Sequence, residues 1–181
     1  MSPADVNLSQ NVLTIVSKEK AAKKLAIGWF SFTCCEDSTI LFTELLNEHY
    51  DDWKKLIDFK HLKALKTKNS MENLDVAFIE GAVSSEKQAE EVSKIRNNSK
   101  YVVAIGSCAV NGLPSASRNM FVPENMSFKT RWYMEHFEYA SKVKKLDEVI
   151  MIDDKVEGCP MNKDVFLSTV WKYLKLFEIV K

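Results

Sequence analysis

Three short, largely apolar runs constrain this chain more than anything else in it: Leu25-Ala26-Ile27-Gly28-Trp29-Phe30, Asn73-Leu74-Asp75-Val76-Ala77-Phe78-Ile79 and Tyr101-Val102-Val103-Ala104-Ile105. They are close to continuous rather than alternating, the pattern of strands covered on both faces. Segments with helical spacing of apolar residues follow them. Glu36 to Ile57 carries Ile40, Leu41, Leu45, Leu46, Tyr50 and Trp53, with Glu36 and Asp37 in its first turn, where carboxylates favour the helix dipole. Ser84 reads as the cap of a second helix ending near Arg96. Lys129 to Lys142 reads as a third, and Lys163 to Phe177 as a closing one with Val165, Phe166, Val170, Trp171, Leu174 and Phe177 inward. Lys60–Lys66 and Glu148–Ile152 are expected as further strands. Strand followed by helix, repeated, requires crossovers and hence parallel neighbours. The expected fold is α/β: a doubly wound, mainly parallel sheet in a flavodoxin-like three-layer sandwich.

At 181 residues, 46% of them hydrophobic, the chain has material for one core. Residues 19–181 are expected to form it, with 1–18 as an N-terminal arm in which Val12–Val16 is a candidate edge strand. Lys+Arg and Asp+Glu both number 25, so no charge excess points to nucleic acid. No run approaches the roughly 20 apolar residues of a membrane span, and Met1–Gln10 lacks the look of a signal peptide. The expectation is a cytoplasmic protein, where thiols serve as metal ligands or stay free more often than they pair.

The chain has four cysteines: Cys34 and Cys35 in tandem, Cys108 in Gly106-Ser107-Cys108, and Cys159 in Gly158-Cys159-Pro160. All four fall just past the end of a predicted strand. In doubly wound sheets that edge is where ligands bind, so the fold itself would gather them. Four thiolates can hold one iron–sulfur cubane, and the neighbouring glycines let backbone approach a bulky group. Inert core thiols are the competing reading, since cysteine is among the most buried residue types. Structural zinc competes too, although the Cys-x₂₋₄-Cys knuckles it favours are absent. Flavin is a further rival, because this fold class also hosts it and the Ser31, Thr33, Ser38 and Thr39 hydroxyls could mimic a phosphate loop, although hydroxyls there are more often caps. The histidines His49, His61 and His136 share no ligand spacing and are expected at the surface or an interface. Asp153-Asp154 reads as a solvated turn, and Ser107 to Lys129 as a long functional loop.

Asp75-Val76-Ala77-Phe78-Ile79-Glu80-Gly81, the run from Val102 through Gly106-Ser107-Cys108-Ala109-Val110-Asn111-Gly112-Leu113-Pro114 to Arg118-Asn119, and Gly158-Cys159-Pro160 together resemble the small subunit of soluble nickel–iron hydrogenases. That group belongs to a wider family with the 20 kDa iron–sulfur subunit of respiratory complex I. The resemblance spans roughly Lys24 to Phe177. It implies one 4Fe-4S cluster held by Cys34, Cys35, Cys108 and Cys159, with Glu80 at an acidic position near it, in a proton-relay or cluster-tuning role. It also implies an oxidoreductase whose catalytic metal centre sits in a separate large subunit, and further electron-carrier subunits with flavin or iron–sulfur groups. Soluble hydrogenase small subunits usually begin their ligand set with Cys-x-x-Cys; the tandem pair is similar instead to the complex I subunit. Adjacent side chains diverge, so ligation by both requires an unusual local backbone. Three functions stay open: electron transfer in a cytoplasmic nickel–iron hydrogenase, a complex I-like or membrane-hydrogenase-like electron-transfer module, and a non-redox scaffold that binds zinc or no metal.

Overall fold

The computed structural model describes residues 23–181; the expected arm at 1–18, with its candidate strand Val12–Val16, lies outside them. Five strands form one sheet: β1 (Leu25–Ser31), β2 (Ile57–Leu62), β3 (Leu74–Glu80), β4 (Ser99–Ile105) and β5 (Asp154–Val156). Their order is β2-β1-β3-β4-β5 and every pairing is parallel. This is the flavodoxin-like winding, and its direction reverses between β1 and β3. Helices α1 (Asp37–Glu48), α2 (Tyr50–Leu56) and α6 (Lys163–Leu176) cover one face; α3 (Glu86–Asn97) and α4 (Gly106–Asn111) cover the other. A further helix, α5 (Phe128–His136), lies in the long connection from β4 to β5.

The apolar runs are covered on both sides as expected: every residue of β3 is buried. On the first face Trp29 stacks on Phe42 with ring centroids 4.3 Å apart, and Phe166 of α6 meets both edge-on. On the second face Phe30, Ala77, Ile79, Val102 and Ala104 pack against Val92 and Ile95 of α3 and Ala109 and Val110 of α4. Each of the phenylalanine, isoleucine and valine side chains contributes roughly 1.5–3 kcal/mol on leaving water.

Several local expectations are corrected. The first helix divides at His49, which ends α1 and begins α2. Strand β2 starts three residues before Lys60, at Ile57, and ends at Leu62, whose carbonyl accepts from Leu65 N and Lys66 N in the turn that follows. The cap of α3 is Ser85, whose hydroxyl accepts from Gln88 N. Ile150 and Ile152 pack beneath the sheet without joining it, and β5 begins at Asp154. Asp153 explains that shift: its backbone N–H donates to Val102 O and its carboxylate accepts from Val102 N and Arg96. Asp154 is engaged too, by Lys172 and the Tyr173 hydroxyl, so neither carboxylate is a free turn residue. On α6 the inward face is Phe166, Thr169, Val170, Tyr173 and Leu174, while Val165 and Trp171 stand in solvent. His61 is buried, stacked on Phe30, with its Nδ1–H donating to Trp29 O.

Candidate iron–sulfur site

The four cysteines come together. Cys34, Cys35, Cys108 and Cys159 line one pocket at the carboxyl edge of the sheet, with Asp37, Ser38, Glu80, Gly106 and Gly158 completing its wall. They arrive on three segments: the loop after β1, the short helix α4 that follows β4, and the loop after β5. None is disulfide-bonded. Cys108 is buried and Cys34 half-buried at the pocket floor, packed with Ala82 and Val143; Cys35 and Cys159 are exposed at its mouth.

Backbone conformation explains how a tandem pair serves one pocket. The unusual residue is Glu36, directly after the pair, in the left-handed region at φ 63°. That turn starts α1 and swings Cys35 towards Cys159, while Cys34 faces Cys108 and Glu80. The Cys34 thiol is pushed up to about 12, first by burial and then by the Glu80 carboxylate; the Glu36 backbone N–H opposes the shift. Cys159 is raised as well, by the slight burial its sulfur has and then by Cys35 beside it. The glycines make room. A Cβ on Gly158, at φ 117°, would sit 2.5 Å from Pro160 O, and one on Gly106, at φ 77°, would sit 3.0 Å from Ser38 Oγ.

Glu80 is 3% exposed and fully engaged. Its two oxygens accept from Ser38 N and Thr39 N, both at 3.0 Å, and from the Thr39 hydroxyl at 2.6 Å. A carboxylate at the end of the central strand thus caps the helix that follows the cysteine pair. Thr39 Oγ1 in turn accepts from Trp29 Nε1 at 2.8 Å and lies 3.1 Å from the Ser31 hydroxyl.

The three cysteine segments are hydrogen-bonded to one another in every pairing. Met161 N donates to Ser38 Oγ at 3.1 Å, joining the Cys159 loop to α1. Ser107 N donates to Gly158 O at 2.7 Å, joining the Cys108 and Cys159 segments. The Ser115 hydroxyl donates to Thr33 O at 2.9 Å and lies 3.2 Å from Cys108 Sγ, joining the Cys108 and Cys34 segments. Sequence reading found the cysteines and Glu80, took Ser38 only as a cap or a phosphate-loop hydroxyl, and gave Ser115 no role of its own. It also read Asp37 only as a first-turn carboxylate. Its carboxylate oxygen and the sulfurs of Cys35 and Cys159 lie within 4.8 Å of one another. Arg118 and Asn119 have clear work: Arg118 donates to Ser84 O and Ala140 O, and Asn119 pairs with the Val143 backbone in both directions, at 2.8 and 2.7 Å.

The donor set fits an iron–sulfur group: soft sulfur ligands, a glycine-lined wall and nearby backbone amides. Among the described residues no helix is long and apolar enough to cross a membrane.

Comparison with known proteins agrees with this chemistry. A subunit of the F420-non-reducing hydrogenase from Methanothermobacter marburgensis is 29% identical over 175 residues, covering 87% of this chain and 56% of the relative. The delta subunit of sulfhydrogenase 2 from Pyrococcus furiosus is 27% identical over 162 residues, covering 86% of this chain and 65% of the relative. The chain therefore spans a little over half to about two thirds of the length of these curated relatives, which are subunits of oxidoreductases. In fold it matches a chain of an NAD⁺-reducing [NiFe]-hydrogenase in its H₂-reduced state, with a TM-score of 0.70 at 22% identity, covering 84% of this chain and 92% of that one. The sequence profile of one family, NADH ubiquinone oxidoreductase, 20 Kd subunit, matches residues 34–173, starting at the first of the four cysteines. The chain belongs to that family.

Proposed function

We propose that this protein is the electron-transfer small subunit of a cytoplasmic nickel–iron hydrogenase, and that Cys34, Cys35, Cys108 and Cys159 hold one 4Fe-4S cluster. Residues 19–181 are the cluster-binding domain in this reading. The observation that carries it is the convergence of four free thiols from three segments on one pocket at the sheet edge. The cluster, when bound, supplies one-electron chemistry between a catalytic centre in a large subunit and flavin or iron–sulfur carriers beyond. The chain's own residues do the holding. Cys34 and Cys108 would hold the group from the inner side, Cys35 and Cys159 from the exposed side, and Gly106 and Gly158 would let backbone approach it. Glu80 tunes the site by fixing the start of α1 and by placing a carboxylate beside Cys34. Its hydrogen bonds to Thr39, and through Thr39 to Ser31, also form an ordered polar path away from the pocket.

A second reading, a complex I-like or membrane-hydrogenase-like electron-transfer module, is favoured by the tandem Cys34-Cys35. The two readings share the cluster and differ in the large subunit. Anaerobic purification followed by iron, sulfide and zinc analysis tests what they share. About four irons per chain and a paramagnetic signal on reduction are expected; one zinc and no iron would replace both with a structural metal site. A co-purifying large subunit with paired Cys-x-x-Cys motifs near both ends separates hydrogenase from complex I-like module.

A further inference from the structure

Helices α2 and α6 cover the same face of the sheet and leave a cleft of about 400 Å³ between them. Trp53 and Leu56 line it from α2; Leu167, Val170, Trp171 and Leu174 line it from α6. Its charged groups, Asp52 and Lys55, stand mostly exposed at the rim. As far as the described residues go, Trp171 is 51% exposed there, although its neighbours in the cleft are apolar.

The chain enters the described structure at one end of this cleft. The Lys23 ammonium donates to Phe177 O, just past the end of α6, at 2.9 Å, and the Lys24 ammonium donates to Lys54 O in the last turn of α2. Cations are favoured at the negative ends of helices. The two lysines thus fix the chain between the carboxyl ends of the same two helices that wall the cleft. Residues 1–22 precede them and carry one concentrated apolar run, Val12-Leu13-Thr14-Ile15-Val16. Val16 is seven residues from Lys23, a reach of roughly 10 Å at a helical rise and roughly 23 Å at an extended one. From Leu174 to Leu167 the cleft is about 10 Å long by the helical rise, so all of it lies within reach.

A segment tethered this closely meets the cleft at an effective concentration on the order of millimolar, which a separate protein must exceed. The cleft is also small. At about 10 Å long and about two helix diameters wide it offers about 200 Å², a quarter of the roughly 800 Å² on one side of a standard interface. That suits a short segment better than a second copy. An uncharged apolar run of this kind left in water is an aggregation hazard, which burial removes. The outer edge of β2 gives it no equal seat: Ile57 N donates to Trp53 O, Lys60 O accepts from Ser70 N, and Leu62 N donates to Asn69 Oδ1.

We propose that Val12–Val16 packs into the cleft between α2 and α6, so that the arm belongs to the same folded unit as the sheet and is not a free tether for a partner. Nothing in this depends on what the cysteine pocket holds. Hydroxyl-radical footprinting of the full chain tests it, with Trp132 as the reference ring. Ile15→Glu expels the run, and Trp171 then oxidises roughly fivefold faster, the ratio between a half-exposed and a buried ring, while the Trp132 rate stays as in the parent. A photo-crosslinking residue, p-benzoylphenylalanine, in place of Ile15 gives the location: irradiation links it to residues 49–56 or 167–174 of the same chain. An unchanged Trp171 rate in Ile15→Glu overturns the proposal, as does a crosslinker that reaches neither helix. Links between two chains would give the cleft to a second copy, and links to residues 57–66 would put the run beside β2; either result also overturns it.

Discussion

Replacing Glu80 by glutamine removes one acceptor oxygen and keeps the size of the side chain. In the parent the two carboxylate oxygens receive Ser38 N, Thr39 N and the Thr39 hydroxyl. An amide can satisfy one of the two backbone donors; its NH₂ then faces the other. A buried donor left without an acceptor costs about 1–3 kcal/mol, so Glu80→Gln costs about 2 kcal/mol and Glu80→Ala, which strands both, about 4 kcal/mol. With a urea dependence of about 2 kcal/mol/M for a chain of this size, the glutamine variant unfolds at a midpoint about 1 M lower. Urea titration of the metal-free protein, followed by far-UV circular dichroism, measures this without involving any cofactor. The cysteine loop responds in the same experiment. Burial and then the Glu80 carboxylate hold the Cys34 thiol up near 12, so loss of the charge lowers it and Cys34 reacts faster with iodoacetamide at pH 9. A glutamine variant that melts within about 0.2 M of the parent would show that the cap is not what fixes the start of α1.

Gly158→Ala places a Cβ 2.5 Å from Pro160 O at a left-handed backbone position; the variant loses roughly 2 kcal/mol or more and binds less than half the iron of the parent, read by iron analysis after anaerobic reconstitution. In the metal-free parent, iodoacetamide labels the exposed Cys35 and Cys159 before Cys34, and the buried Cys108 last, as followed by peptide mass mapping; equal labelling of Cys108 and Cys35 would contradict the pocket's depth order. Asn119→Ala breaks both bonds to Val143 and costs about 2 kcal/mol, with faster hydrogen exchange confined to residues near Asn119 and Val143. Burial lowers the His61 basicity below its usual 6.5, and the ring stays neutral with Nδ1–H on Trp29 O. The unfolded chain therefore binds the extra proton, so stability is full above about pH 6.5 and falls as the pH drops below it; His61→Phe flattens that acid limb in thermal melts between pH 7 and 5.

The sheet was legible because its signal is redundant. Leu74–Ile79 and Tyr101–Ile105 are apolar on both faces, and the connections between strands leave room only for crossovers. The gathering of the cysteines followed from that topology alone. What escaped the sequence was set by single contacts of distant partners. Glu148–Ile152 has strand composition, yet Asp153 claims the Val102 backbone and moves the ladder to Asp154. Trp171 is as apolar as Tyr173, yet Asp154 waits for the tyrosine hydroxyl and draws it inward. His61 carries no spacing that marks it as buried; its place depends on Phe30, a neighbour in the sheet and far away in the chain. Within the site, the cysteines and Glu80 were visible from the glycines and strand ends beside them. Ser115 has no such local mark, and Arg118-Asn119 stood out only as the end of the run that carries the family resemblance, with nothing beside them to show that they clasp Ala140 and Val143.

The mutual hydrogen bonds among the three cysteine segments have a consequence for how the site is filled. Ser38 to Met161, Ser107 to Gly158 and Ser115 to Thr33 hold the segments in place with protein atoms alone. The entropy of ordering them is met by folding, so a metal group arriving later meets a standing mould instead of having to build one. On the cluster-binding reading, the chain without its metal group is expected to keep the fold and circular dichroism of the loaded one.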